Sequence, residues 1–134
     1  MATCALCNCI HETFRVITKT PHSFCVVVKE TLKEGHVMVL PQRHTESFSQ
    51  LNPIEAKDLL DLVEIMRSRL NHFFQEDVLI VRNTGVHSTQ PHIHIHLIPS
   101  KGSLRDLIGK YENIPARPQR SDEEYTHFYN QLKF

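Results

Sequence analysis

The run Pro91-His92-Ile93-His94-Ile95-His96-Leu97-Ile98-Pro99 leaves little freedom in how it can fold. Imidazole and aliphatic side chains alternate strictly. Successive side chains of a strand leave opposite faces, so the run reads as a β-strand. At about 3.3 Å rise per residue, His92, His94 and His96 line one face with neighbours roughly 7 Å apart. Ile93, Ile95 and Leu97 fill the other face, which needs a core to cover it. Pro91 and Pro99 bracket the run, because proline lacks the ladder N–H and belongs at strand ends and edges.

Three aligned imidazoles admit three readings. Surface or satisfied-core histidines account well for one such residue in a strand and poorly for three in alternation. A three-histidine metal site is the second, since neutral imidazole is a common zinc ligand. The third is a nucleophilic imidazole flanked by two others. Neutral imidazole attacks phosphorus without a metal, while its neighbours hold anionic oxygens or pass a proton. The rest of the chain has to choose.

A length of 134 residues suits a single domain over residues 1–134 with a real core. Charge is balanced, 15 basic against 15 acidic side chains, which argues against nucleic acid or a membrane surface as partner. No apolar run approaches the ~20 residues of a membrane span. Met1 to Asn8 lacks the basic and apolar segments of a secretory signal, so a cytoplasmic location is expected. Cys4, Cys7 and Cys9 crowd together near the start, a pattern that in a reducing compartment suits a metal better than disulfides.

Cys4 and Cys7 have the C-x-x-C spacing with which two thiolates grip a tetrahedral zinc. A redox pair is the competing reading, but a thioredoxin-type pair belongs between a strand and a helix. Phe14 to Thr18 and Phe24 to Lys29 read as strands, with His22 and Ser23 in the turn between them. Lys33-Glu34-Gly35 is a turn, and His36 to Leu40 continues as a strand that forms a hairpin with the one before. His44 lies just past that strand, where a lone histidine is usually solvated. Beside a C-x-x-C pair in need of partners, it becomes a candidate ligand.

Asn52-Pro53-Ile54-Glu55 starts a helix with an N-cap, a proline in the first turn and a capping-box glutamate. Leu59, Leu62, Val63, Met66, Leu70 and Phe73 recur at helical spacing, so about twenty residues pack one face on the sheet. Glu64, Arg67 and Arg69 form its solvated side. Val78 to Arg82 reads as a buried strand. The polar loop from Asn83 to Gln90 leads straight into the histidine run, so Asn83, Ser88, Thr89 and Gln90 are candidates to meet whatever the histidines bind. A helical turn at Leu104–Ile108, proline-punctuated coil at Ile114–Gln119 and a last helix capped by Ser121 complete the chain.

With these pieces in place the chain resembles the histidine triad family of nucleotide hydrolases and transferases. His92-Ile93-His94-Ile95-His96-Leu97-Ile98 matches His-φ-His-φ-His-φ-φ. Gly35-His36-Val37-Met38-Val39-Leu40-Pro41-Gln42-Arg43-His44 matches Gly-His-x-φ-φ-φ-Pro-x-x-His. The resemblance implies an α+β fold, with an antiparallel sheet of about five strands, one long helix and a C-terminal helix, paired into a homodimer. It implies a purine nucleotide substrate attacked at the α-phosphate by His94 through a nucleotidyl-histidine. His96 would bind phosphate oxygens and His36 would orient or relay behind it, with Asn83, Ser88, Thr89 and Gln90 holding phosphate and aiding the leaving group. In zinc-bearing members, which include the related galactose-1-phosphate uridylyltransferases, an N-terminal C-x-x-C binds the metal with two histidines. Carried over, a structural zinc would be held by Cys4, Cys7, His44 and His92. The uridylyltransferases carry glutamine where this chain has His96, so the pattern is that of a hydrolase.

Two departures bear on substrate. The loop before the first triad histidine is two residues shorter than usual and reads His87-Ser88-Thr89-Gln90-Pro91. The aspartate that commonly binds ribose is replaced at its aligned place by Val28, leaving Glu30 nearby as the candidate. A low-turnover nucleotide-binding dimer with a regulatory or scaffold role is the alternative to an enzyme. A metalloenzyme using the three histidines as ligands is a further one.

Overall fold

Short extended segments rich in β-branched and aromatic residues pair into one antiparallel sheet. The computed structural model describes residues 4–85, 88 and 90–134. Among these the strands are β1 (Val16–Lys19), β2 (Ser23–Val27), β3 (Val37–Pro41), β4 (Asp77–Val81) and β5 (Ile95–Ser100), in spatial order β1-β2-β3-β5-β4. Every neighbouring pair is antiparallel. The expected hairpin is β2–β3, with Ser23 opposite Pro41 and Val27 opposite Val37. The fold is the expected α+β arrangement. The chain is described in two units, one up to Lys101 and one over Gly102–Phe134.

Two apolar layers cover the two faces of the sheet, as period-2 strands require. On one face lie Cys25, Val37, Val39, Ile95 and Leu97, packed against Leu59, Leu62, Val63, Met66 and Leu70 of the long helix α2 (Pro53–Phe74). Burying each of these large aliphatic side chains contributes about 1.5–3 kcal/mol. On the other face lie Phe24, Val26, Met38 and Leu40, covered by Leu6 and Cys9. Those two come from the short helix α1 (Ala5–Asn8) and the 3-10 turn Cys9–His11 that follows it. Cys9 donates its thiol hydrogen to the Leu6 carbonyl at 3.1 Å and serves packing.

Helix α2 starts where the sequence says it should. The Asn52 side chain accepts from the Glu55 N–H at 2.8 Å, and Glu55 accepts from the Asn52 N–H at 3.1 Å. Its far end corrects one assignment. Phe73 is 74% exposed, whereas Phe74 packs on the core. Both i+3 and i+4 from Leu70 fall near the apolar stripe, and only packing chooses between them. The Phe74 ring also roofs the turn before β3. A Cβ on Gly35 (φ +90°) would lie 2.6 Å from that ring and 2.8 Å from Pro99, so this turn requires glycine.

Further assignments change in four of the strands. β1 begins at Val16, leaving Phe14 exposed, and Ser23 belongs to β2 rather than to the turn. β4 is a sheet edge with Asp77 and Ile80 exposed, not a buried strand, because no described strand flanks it on one side. β5 begins only at Ile95, so His92 and His94 precede the ladder, and Pro99 lies inside it opposite Val78. Pairing with β3 stops at Leu97, so the missing Pro99 N–H interrupts no bond on that side.

In the second unit, α3 (Leu104–Glu112) is capped by Ser103 and α4 (Asp122–Leu132) by Ser121, each through a capping box. α4 matches expectation, and α3 runs longer than the expected turn. No side chain of either helix is buried. Among the described residues no helix is long and apolar enough to cross a membrane.

The buried Glu55 carboxylate is also gripped by Arg43, Nη2 to Oε1 at 2.8 Å and Nε to Oε2 at 2.9 Å. First the Arg43 guanidinium and then the Asn52 N–H hold its pKa down to about 2, from an ordinary 4.5. A depressed carboxylate contributes stability above the unfolded pKa and loses it as pH falls through the folded one. Glu55→Gln should therefore lower urea stability at pH 7, and its difference from wild type should vanish as pH falls from about 4.5 to 2. An undiminished difference at pH 2 would show that Glu55 acts by packing alone.

Candidate active site and metal centre

The stretch from His92 to His96 serves two clusters, one at each end. The first gathers Cys4, Cys7, His44 and His92, whose ligand atoms all lie within 4.8 Å of one another. Cys4 caps α1 and Cys7 lies within it, so one helical turn presents both sulfurs together. His44 follows β3 and His92 precedes β5, two strands that pair side by side. Cys7 Sγ is 3.3 Å from Nδ1 of His44 and 3.3 Å from Nδ1 of His92, and Cys4 Sγ is 3.7 Å from Nδ1 of His92. A tetrahedron with arms of about 2.3 Å to sulfur and 2.0–2.1 Å to nitrogen has edges of about 3.3–3.8 Å. These three separations match such edges, and the other donor pairs lie within 4.8 Å.

Their chemistry matches as well. His92 is fully buried and its Nε2–H donates to the Pro41 carbonyl at 2.8 Å, which leaves the Nδ1 lone pair facing the sulfurs. Burial pushes the His92 pKa down, keeping the ring neutral as a ligand must be. Burial, and then the Cys4 thiol, push the Cys7 thiol up. A divalent cation removes that penalty. Glu46 Oε1 stands 3.5 Å from Nε2 of His44, behind the cluster.

The second cluster holds His94, His96 and His36. His96 lies opposite Met38 in the β3–β5 pairing, and Met38 belongs to the layer facing away from α2. The His94 ring stands edge-on to His96 with centroids 5.0 Å apart. The His94 Nδ1–H donates to the His92 carbonyl at 2.8 Å, so Nε2 carries the lone pair, which has no hydrogen-bond partner among the described residues. Behind His96, His36 Nδ1 accepts from the Leu32 N–H at 3.1 Å. Its Nε2–H therefore donates to His96 Nδ1 at 2.9 Å, which leaves His96 with a hydrogen on Nε2. The site thus pairs a free imidazole lone pair with a neighbouring N–H donor. Among the described residues, neither His94 nor His96 joins the metal-competent group. An apolar groove of about 410 Å³ lined by Ile17, Val37, Met66 and Phe74 draws its core-packed walls from the α2 layer, and is not this site.

The polar loop is placed only in part. Ser88 spends its hydroxyl on the Gln90 carbonyl at 3.0 Å and its N–H on the Gly85 carbonyl at 3.0 Å. Asn83 is exposed and Gln90 half-buried, and Thr89 lies outside the described residues. Glu30 stands exposed in the turn after β2, and among the described residues no hydrogen bond or ion pair brings it to the histidines. Sequence reasoning missed the backbone partners that orient the rings, namely the carbonyls of Pro41 and His92 and the N–H of Leu32. Backbone groups are common to all residues, so no side-chain pattern announces them.

Residues 11–103 match the family model described as HIT domain. The chain belongs to the HIT domain family. Relatives include the Arabidopsis thaliana bifunctional bis(5'-adenosyl)-triphosphatase/adenylylsulfatase FHIT, 33% identical over 90 residues, which cover 65% of this chain and 50% of that protein. The Saccharomyces cerevisiae adenosine 5'-monophosphoramidase is 26% identical over 112 residues, covering 80% and 68%. The chain spans about half the length, or less, of several curated relatives it matches. A HIT family protein from Bacillus subtilis shares the fold with a TM-score of 0.71 at 18% identity, covering 98% of this chain and 95% of that one.

Within this HIT domain the ring behind the site is tuned by burial. Burial first, then the His94 and His36 imidazoles, push the His96 pKa down to about 4 from an ordinary 6.5. Burial also lowers that of His36. Protonating His96 thus costs more in the folded chain than in the unfolded one. Stability should be full above about pH 6.5 and fall as pH drops toward 4, by at most about 1.4 kcal/mol per pH unit for this one group. His96→Gln, neutral throughout, should flatten the decline in denaturation midpoints measured between pH 7 and 4. Parallel declines in the two proteins would contradict the assignment.

Proposed function

We propose that this protein hydrolyses purine nucleotides at the α-phosphate, acting on nucleoside phosphoramidates or dinucleoside polyphosphates through a nucleotidyl-His94 intermediate. The observation that carries the reading is the His94 ring, tied at Nδ1 to the His92 carbonyl with its Nε2 lone pair free beside His96. Relatives named as a triphosphatase and a phosphoramidase support this substrate class.

In this scheme His94 Nε2 attacks the α-phosphorus, and a P–N bond to His94 forms as the P–N or P–O bond to the leaving group breaks. Water then attacks the same phosphorus, the His94–phosphorus bond breaks, and nucleoside monophosphate leaves with the imidazole restored. His96 holds a phosphate oxygen through its Nε2–H and stabilises the charge that builds there. A ring held down to about 4 donates a hydrogen bond at neutral pH but is not a proton reservoir. The leaving group therefore takes its proton from water. Asn83 and Gln90 are the described loop residues in this reading that can meet the phosphate, with Glu30 the candidate for ribose.

We further propose that Cys4, Cys7, His44 and His92 hold a structural zinc in a reducing, cytoplasmic setting, and that the protein is a homodimer. When bound, the ion neutralises the two thiolates and fixes the four donors to one another.

Turnover of an adenosine phosphoramidate should fall by roughly 10³-fold or more in His94→Ala, and acid quenching of the wild type should trap a nucleotide on His94. Equal turnover in the two proteins would sink the mechanism, and nucleotide binding without turnover would leave the regulatory dimer. Metal analysis should give one zinc per chain, lost in Cys7→Ser with a lowered melting temperature. Metal that survives Cys7→Ser but disappears in His94→Ala would instead place it on the triad.

A further inference from the structure

We propose that the backbone N–H of Leu32 is a positioning group for the histidine pair, fixing the tautomer of His36 and, through it, that of His96. The inference rests on the proposed function only for its effect on turnover.

A neutral imidazole can carry its hydrogen on either nitrogen, and nothing within the ring chooses strongly. His36 is 4% exposed, so water cannot choose for it. The Leu32 N–H points at Nδ1 from 3.1 Å. A hydrogen on Nδ1 would set two donors against each other in a part-buried place and break the Leu32 bond. The hydrogen therefore sits on Nε2, 2.9 Å from His96 Nδ1, and His96 must carry its own on Nε2. Reversing His36 would reverse His96 too and turn a lone pair, instead of a donor, toward an anionic oxygen.

The turn that carries this N–H is held on several sides. The His36 N–H donates to the Lys33 carbonyl at 3.1 Å, and Lys33 Nζ reaches Glu76 Oε2 at 2.8 Å. Gly35 runs under the Phe74 ring and beside Pro99 where no Cβ fits. The Leu32 side chain is 76% exposed, so what the residue offers the site is its amide rather than packing.

The test replaces Leu32 by its α-hydroxy acid, which turns the amide into an ester and removes only the N–H. Long-range proton–nitrogen NMR of the imidazoles reads the tautomers without substrate, with His36→Gln and His96→Gln assigning the signals. In the wild type both rings should carry hydrogen on Nε2. In the ester variant, signals of both rings should move toward a tautomer mixture, with kcat/KM for an adenosine phosphoramidate falling about three- to tenfold. A wild-type His36 protonated on Nδ1, or a His96 signal unmoved in a folded ester variant, would overturn the proposal. If the ester variant does not fold, Leu32→Pro and Lys33→Ala are read by the same spectra, and wild-type His96 signals in both would equally overturn it. A wild type with these tautomers but no hydrolysis would reject the enzymatic reading and leave the tautomer lock standing.

Discussion

A neutral imidazole has one donor and one acceptor; a buried ring must find a partner for each, whereas a half-buried one can leave one open. That requirement sorts the four central histidines. His92 gives its hydrogen to the Pro41 carbonyl and turns its lone pair to the sulfurs. His94 gives its hydrogen to the His92 carbonyl and keeps its lone pair free. His36 and His96 pass the same polarity along a line that starts at a backbone N–H. Residues of one type, two or four positions apart, thus present different atoms: a lone pair facing the sulfurs on His92, a lone pair beside His96 on His94, and an N–H on His96.

The sheet makes these meetings possible because its faces do different work. α2 covers one face with a continuous aliphatic layer, and that layer holds β3 and β5 in register. The other face is covered by a few residues of α1 and the turn after it, with Leu6 and Cys9 as their buried anchors. A four-residue helix cannot hold itself in water. The Cys4–Cys7–His44–His92 cluster brings this segment against the end of β3 and the start of β5, beside the His94 backbone. The metal-competent group and the free imidazole are therefore neighbours in one stretch of chain, joined by the carbonyl of His92.

Much of the site was legible because side-chain type and spacing carried it. C-x-x-C before a lone histidine, and imidazoles in alternation, pointed to Cys4, Cys7, His44, His92, His94 and His96, the family motif added His36, and the fold brings them into two clusters. The capping boxes of α2 and α4 were equally plain. Assignments that leaned on apolar runs fared worse. Val78 to Val81 looks buried by composition, yet strand order puts it at an edge. Phe73 and Phe74 are equivalent to a helical wheel and opposite in the structure.

By itself the sequence determined the two-faced strands and the start of the long helix, which follow from short-range periodicity and capping. The α+β class and the candidate ligand and triad side chains came from the family motifs it carries. Tertiary structure alone decided where β5 begins, which strand lies at the edge, and which nitrogen of each ring holds its hydrogen. Those outcomes depend on backbone groups distant in sequence, the Pro41 carbonyl above all, and such groups are the same at every residue until folding brings one of them within reach.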